Sequence, residues 1–184
     1  SPEAVAAHKD LKIVYTPIHG SGVEIVPEFL AKLGFENVYH VPEQDVIDGN
    51  FPTVKSPNPE EPGALAMALA VADKEGADLV MATDPDADRI GIAVRDNEGK
   101  MVLLDGNQTG SILTYYILRR WSELGKLDGK QFIVKTIVTT ELMRAIAEKY
   151  GVKVYNVLTG FKWIADIIKK NEGIATFVCG GEES

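Results

Sequence analysis

Apolar residues in this chain fall into short runs bounded by turn formers, and these runs alternate with stretches of helical spacing. Leu11-Lys12-Ile13-Val14-Tyr15 predicts a strand and Gly20-Ser21-Gly22 a turn. Glu24 to Leu33 carries apolar positions at helical spacing and predicts a helix stopped by Gly34. Asn37 to Val41 predicts a second strand. Phe51 to Pro62 contains Pro52, Pro57, Pro59 and Pro62 and predicts a rigid loop. Pro62 then opens a helix through Ala64-Leu65-Ala66-Met67-Ala68-Leu69 that ends near Gly76. Leu79-Val80-Met81-Ala82 predicts a buried strand, and Ile90 to Val94 with Met101 to Leu104 a hairpin turning at Asn97-Glu98-Gly99. The rhythm then repeats. Asp105 suits the N-cap of a helix from about Gln108 to Trp121. Strand Phe132 to Val138, helix Glu141 to Tyr150 closed by Gly151, strand Val152 to Val157, helix Phe161 to Lys170 and strand Ile174 to Cys179 follow.

Strands alternating with helices imply sheets covered on both faces. The expected fold is α/β: two consecutive three-layer α/β/α domains with mostly parallel mixed sheets, 1–105 and 106–184, divided at the polar Asp105-Gly106-Asn107 junction. The 184 residues are 45% hydrophobic and 25% charged, an ordinary globular balance. A net charge of −8 argues against a nucleic-acid footprint, which would be basic. It leaves a phosphorylated substrate open, because local cations can sit in an acidic protein. Cys179 is the one cysteine, so no intrachain disulfide is possible and a cytoplasmic setting is expected. No apolar run is long enough to cross a bilayer, and no partnership with a membrane is expected. The chain stops at Ser184, just past an expected strand, so a fragment of a larger protein is expected.

The densest chemistry lies at Thr83-Asp84-Pro85-Asp86-Ala87-Asp88-Arg89, directly after the Leu79 run. Three carboxylates this close raise one another's pKa, and a bound cation relieves the repulsion. Oxygen ligands suit a hard ion, Mg²⁺ first, in service of phosphate chemistry; a solvated acidic turn is the plainer alternative. An EF-hand fails, because Arg89 stands where its loop needs Gly and Arg95 where it needs Glu. An aspartyl-phosphate phosphatase fits poorly with Pro85 and the third aspartate. Arg89 could grip a phosphate beside the cation or serve as counter-ion to the aspartates. Gly180-Gly181-Glu182-Glu183-Ser184 lies beyond the last strand, where open α/β sheets bind ligands, and Glu182 and Ser184 can hydrogen-bond hydroxyls; a polar loop without function is equally compatible. Thr159-Gly160-Phe161-Lys162 enters a helix whose amides could meet an anion, with Lys162 as acid/base or phosphate contact; an ordinary helix start is the alternative. Thr16 to Gly22 has the glycine density of a phosphate cradle but lacks the Walker lysine and the dinucleotide pattern, so a tight turn with a structural His19 is expected.

Taken together, these motifs resemble the α-D-phosphohexomutase family of phosphoglucomutases and phosphomannomutases, over essentially the whole chain. Residues 83–89 look like its metal loop and Gly181-Glu182-Glu183-Ser184 like its sugar-recognition loop, in the same order and at a similar separation. Pro85 and Thr159-Gly160-Phe161-Lys162 look more like the phosphoglucomutase and phosphopentomutase branch. The resemblance implies domain II in 1–105 and domain III in 106–184. Domains I and IV, with the phosphorylated serine and the loop for the substrate's resident phosphate, are implied as missing parts of the same polypeptide. It also implies that Asp84, Asp86 and Asp88 hold Mg²⁺, that Arg89 orients the phosphoserine and that Glu182 and Ser184 bind sugar hydroxyls. Thr159, Gly160 and Lys162 are implied to face the sugar phosphate. It assigns no general base, because Phe161 stands in the place of a histidine of some relatives and Ile137-Val138-Thr139-Thr140 in the neighbourhood of their lysine. The chain alone is expected to be inactive. The competing classes are a Mg²⁺-dependent phosphatase or nucleotide-sugar enzyme, and a non-catalytic metal-stabilised binding module.

Overall fold

The computed structural model describes residues 2–183. They form two compact units, one up to Asp105 and one from Gly106. In the first, helix α1 (Pro2–Ala7) precedes strand β1 (Lys12–Thr16), helix α2 (Gly22–Leu33) and strand β2 (Asn37–His40). Helix α3 (Pro62–Glu75) and strands β3 (Leu79–Thr83), β4 (Ile90–Arg95) and β5 (Met101–Leu104) complete it. The sheet order is β2-β1-β3-β4-β5, with β1 parallel to β2 and β3, and β4 antiparallel to both neighbours. The chain steps from β1 to β2 and then back across β1 to β3. Right-handed crossovers taken in opposite directions put α2 and α3 on opposite faces. On the α3 face, Ala64, Leu65, Ala68 and Ala72 pack on Val14, Val80, Ala82 and Ala93. Alanines at four-residue spacing bring the helix close to the sheet.

In the second unit, helix α4 (Gly106–Glu123) leads into strand β6 (Gln131–Thr136), helix α5 (Leu142–Lys149), strand β7 (Lys153–Val157), helix α6 (Phe161–Lys170) and strand β8 (Thr176–Gly181). All three strands are parallel in the order β7-β6-β8. Alternate residues of β6 feed two separate cores. Ile133 joins Leu118 of α4 and Ala147 of α5 on one face, while Phe132 and Val134 join Ile164 of α6 on the other. This is a three-layer unit. Both units are built on a parallel core in which the first strand lies between the second and the third, β2-β1-β3 and β7-β6-β8.

Several boundaries differ from the sequence expectation. Helix α1 has only six residues, too few to carry a periodic signal. Strand β6 ends at Thr136, two residues early, where Thr139 N–H turns back onto Thr136 O at 3.1 Å. Strand β8 includes Gly180 and Gly181, expected to lie beyond it, because they pair with Val134 and Lys135 of β6. A Cβ at Gly180 would stand 2.6 Å from Val134 O, so only glycine lets the strand continue there.

Candidate functional site

The aspartate loop spans the β3–β4 hairpin and is shaped by its own short side chains. Asp84 follows the last residue of β3 and is almost fully buried, 1% exposed. Asp84 O accepts Ala87 N–H at 3.0 Å, a turn completed by Ala87 in the left-handed region at φ 61°. The Asp84 carboxylate accepts Arg89 N–H on Oδ1 at 3.0 Å and Arg89 Nε–H on Oδ2 at 2.9 Å. Burial alone would raise the Asp84 pKa, but the hydrogen bonds from Arg89, with the Arg89 charge, help hold it below the usual carboxylate range. The exposed Asp88 is shifted the opposite way, by desolvation and by the charges of Asp84 and Asp86. Arg89 therefore is the counter-ion of Asp84, and the hydrogen bond to Asp84 raises its own pKa.

One carboxylate oxygen from each of Asp84, Asp86 and Asp88 lies within 4.8 Å of the others. Opposite ligands of an octahedral Mg²⁺ stand about 4.2 Å apart. Two of the three side chains are exposed and free to close that small difference, so an all-oxygen donor set of this size fits a hard divalent cation.

The second cluster gathers at the carboxyl ends of β6, β7 and β8. Glu182, just past β8, accepts Gly160 N–H on Oε2 at 2.7 Å. Gly160 is the N-cap of α6, with φ 117° and ψ 129° that favour glycine. Thr159 is exposed beside it, and Lys162, in the first turn of α6, places Nζ 5.2 Å from the Trp163 ring centroid. Glu183 N–H donates to Thr139 Oγ1 at 3.1 Å. Thr159, Gly160, Lys162 and Glu182 thus share one end of the sheet. Ser184 lies outside the described residues.

Lys135 was not among the sequence candidates. Its side chain is fully buried at the end of β6, and Nζ donates to Thr139 O at 2.8 Å and pairs with Glu141 Oε1 at 2.8 Å. The available signal was a lysine closing the apolar run Phe132-Ile133-Val134. His19 is structural, as expected, and is buried with Nδ1 at 2.8 Å from Val46 O and Nε2 at 2.8 Å from Thr53 Oγ1. Burial pushes the Cys179 thiol up to about 11, so it is protonated at neutral pH and is not a nucleophile.

The description "Phosphoglucomutase/phosphomannomutase, alpha/beta/alpha domain II" matches residues 3–99, and that of domain III matches residues 105–184. The chain belongs to the phosphoglucomutase/phosphomannomutase family. It is 41% identical over 175 residues to a phosphoglucomutase of Staphylococcus aureus (strain N315), covering 95% of this chain and 31% of that protein. It is 40% identical over 176 residues to a phosphomannomutase of Mycoplasmoides pirum, covering 96% of this chain and 31% of that protein. The fold is also that of a phosphoglucomutase/phosphomannomutase family protein from Burkholderia thailandensis, at TM-score 0.72 and 21% identity over 94% of this chain and 34% of that one. The chain therefore spans about 31% of the length of these curated relatives. No helix among the described residues is long and apolar enough to cross a membrane.

Proposed function

We propose that this chain is the cation- and sugar-binding middle, domains II and III, of a phosphohexomutase that moves a phosphate between two hydroxyls of a sugar phosphate. The observation that carries this is that one unit holds an all-oxygen aspartate cluster and the other, taken by itself, a Glu-bearing loop at its strand ends. Asp84, Asp86 and Asp88 would hold Mg²⁺. When bound, the cation neutralises charge on the transferring phosphoryl group. Arg89 remains fully charged beside it and orients the same phosphate through the face turned away from Asp84. Glu182 accepts from sugar hydroxyls with the carboxylate oxygen that Gly160 leaves free, and Ser184 assists. Thr159 and Lys162 receive the anionic end of the substrate, and Gly160 holds Glu182 at the start of α6.

The phosphoserine donor and the loop for the resident phosphate belong to domains I and IV of the same polypeptide. The chain alone is therefore inactive. A lone free cysteine supports a cytoplasmic setting. Arg89 places one donor on each Asp84 oxygen, and each oxygen keeps a lone pair for the cation.

The test is a chimera in which this chain replaces the matching segment of the staphylococcal phosphoglucomutase. With Mg²⁺ it should interconvert glucose 1-phosphate and glucose 6-phosphate in a coupled assay, and Asp86→Asn should lower turnover by roughly 100-fold. A folded chimera inactive on glucose, mannose, glucosamine and ribose phosphates would refute the proposal.

A further inference from the structure

The loop from Thr16 to Gly22 is more tightly held than a turn between a strand and a helix requires. Ile18 and His19 are consecutive non-glycine residues in the left-handed region, at φ 46° and 62°, and both are buried. A β-branched residue there is strained, and such strain persists only where the surroundings enforce it. Here they do. Ile18 N–H donates to Thr16 Oγ1 at 3.2 Å, and His19 N–H to Gln44 O at 2.8 Å. The His19 ring is fixed at both nitrogens by Val46 O and Thr53 Oγ1. The Gln44 side chain ties Thr16, Thr53 and Ala64 together.

What this frame presents is the next three residues, and all three meet the aspartate loop or its root. A Cβ on Gly20 would stand 2.3 Å from Pro85 Cα. Ser21 sits at the N-cap of α2, yet its hydroxyl makes no capping bond. Instead both Ser21 N–H and Ser21 Oγ–H donate to Pro85 O, at 2.9 and 3.0 Å. A Cβ on Gly22 would stand 2.2 Å from Tyr15 Oη, which pairs at 2.9 Å with the Thr83 hydroxyl just before Asp84. Pro85 lies between two of the three carboxylates, and its carbonyl accepts two hydrogen bonds from a segment 64 residues away. The second unit repeats the arrangement. There too the loop after the first strand of the core holds the loop after the third, through Thr139 Oγ1 and Glu183 N–H.

We propose that Gly20 and Ser21 are positioning residues for the cation site, seating Pro85 so that Asp84 and Asp86 converge before any ion arrives. The inference rests on the metal reading given above. Residues that orient metal ligands typically change affinity by roughly 10–100-fold when altered. The experiment is Mn²⁺ binding to the 184-residue chain followed by electron paramagnetic resonance, with unfolding in EDTA as the control. Ser21→Ala should weaken Mn²⁺ binding roughly fivefold, as one hydrogen bond is lost. Ser21→Thr should restore it, and Gly20→Ala should weaken it by more than roughly tenfold. If Gly20→Ala does not fold, Ser21→Ala against Ser21→Thr decides. Variants that melt lower in EDTA but bind Mn²⁺ with the wild-type Kd would assign the loop to stability alone and overturn the inference, leaving the metal reading intact. A wild-type chain that binds no Mn²⁺ would overturn the metal reading, and this inference with it.

Discussion

The aspartate loop and the Glu182 loop occupy equivalent places in their units, each following the third strand of a parallel core, yet they are held by different means. The aspartate loop rests on close backbone contact at Gly20 and Pro85. Gly20 touches Pro85, Pro85 O takes two hydrogen bonds, and a buried carboxylate is closed by its own arginine. The Glu182 loop is held through two side chains, Glu182 onto Gly160 N–H and Thr139 onto Glu183 N–H. Three like charges held together in advance need a rigid frame, because their repulsion opposes the geometry the cation requires. In the proposed reading the Glu182 loop recognises hydroxyls, and no cluster of three carboxylates has to be held there. Its carboxylate can share an oxygen with the helix end and still reorient.

The contrast breaks most readily at Arg89. Losing the partner of a buried charge costs about 3–5 kcal/mol when both groups are buried, and the partial exposure of Arg89 lowers that to about 2–3 kcal/mol. Arg89→Leu should therefore shift urea unfolding of the first unit by that amount and leave the second unchanged. Equal loss in both units would contradict the separate framing of the two loops.

The cation comes next. At a hundredfold excess over Kd, Mg²⁺ should stabilise the chain by about 2.7 kcal/mol, a rise in Tm of roughly 5–10 °C. Asp86→Asn should reduce that rise. In EDTA, Asp88→Asn should be at least as stable as the wild type, since the raised pKa of Asp88 marks a charge the folded loop disfavours. Calorimetry with and without Mg²⁺ measures both. An unchanged Mg²⁺ shift in Asp84→Asn, Asp86→Asn and Asp88→Asn alike would remove this loop as the site.

The Glu182 loop should answer to smaller changes. Thr139→Val leaves Glu183 N–H without its acceptor, at a cost of about 1–2 kcal/mol, and hydrogen exchange of the Glu183 amide should accelerate. Unchanged exchange would mean that another contact holds the loop. Beneath it, Glu141 has its pKa lowered by hydrogen bonds from Lys135 and Arg144, then by their charges. A depressed carboxylate stabilises above its ordinary value of 4.5 and loses that contribution as pH falls through the folded pKa. Glu141→Gln should therefore be slightly less stable than wild type near neutrality, with the difference closing below about pH 4.5. A difference independent of pH would mean that charge is not what Glu141 contributes.

Much of this was legible in the residue pattern because the relevant signals are local. Proline at the start of α3, glycine after α2 and α3, and apolar runs at β1, β3 and β6 mark elements by their own chemistry. The three aspartates mark their loop by mutual repulsion, and Glu182 marks its loop by lying beyond a strand. What stayed hidden depends on partners distant in sequence. Gly180 belongs to β8 only because β6 lies against it, and Ser21 leaves its own helix for Pro85. Lys135 reads as an interruption of a strand until the Thr139 carbonyl and Glu141 are seen around its ammonium. Arg89 offered two roles in sequence, and the distance to Asp84 established the counter-ion role.

The most direct test of the central claim is to map two ligands onto two loops by amide NMR of the 184-residue chain. Mg²⁺ alone should shift the amides of Asp84 and of residues 86–89, with Ser21 and Gly22 following, and leave the second unit unmoved. Glucose 6-phosphate added afterwards should shift Gly160, Lys162, Glu182 and Glu183. Mg²⁺ shifts that avoid the aspartate loop, or sugar-phosphate shifts that avoid the ends of β7 and β8, would contradict the account.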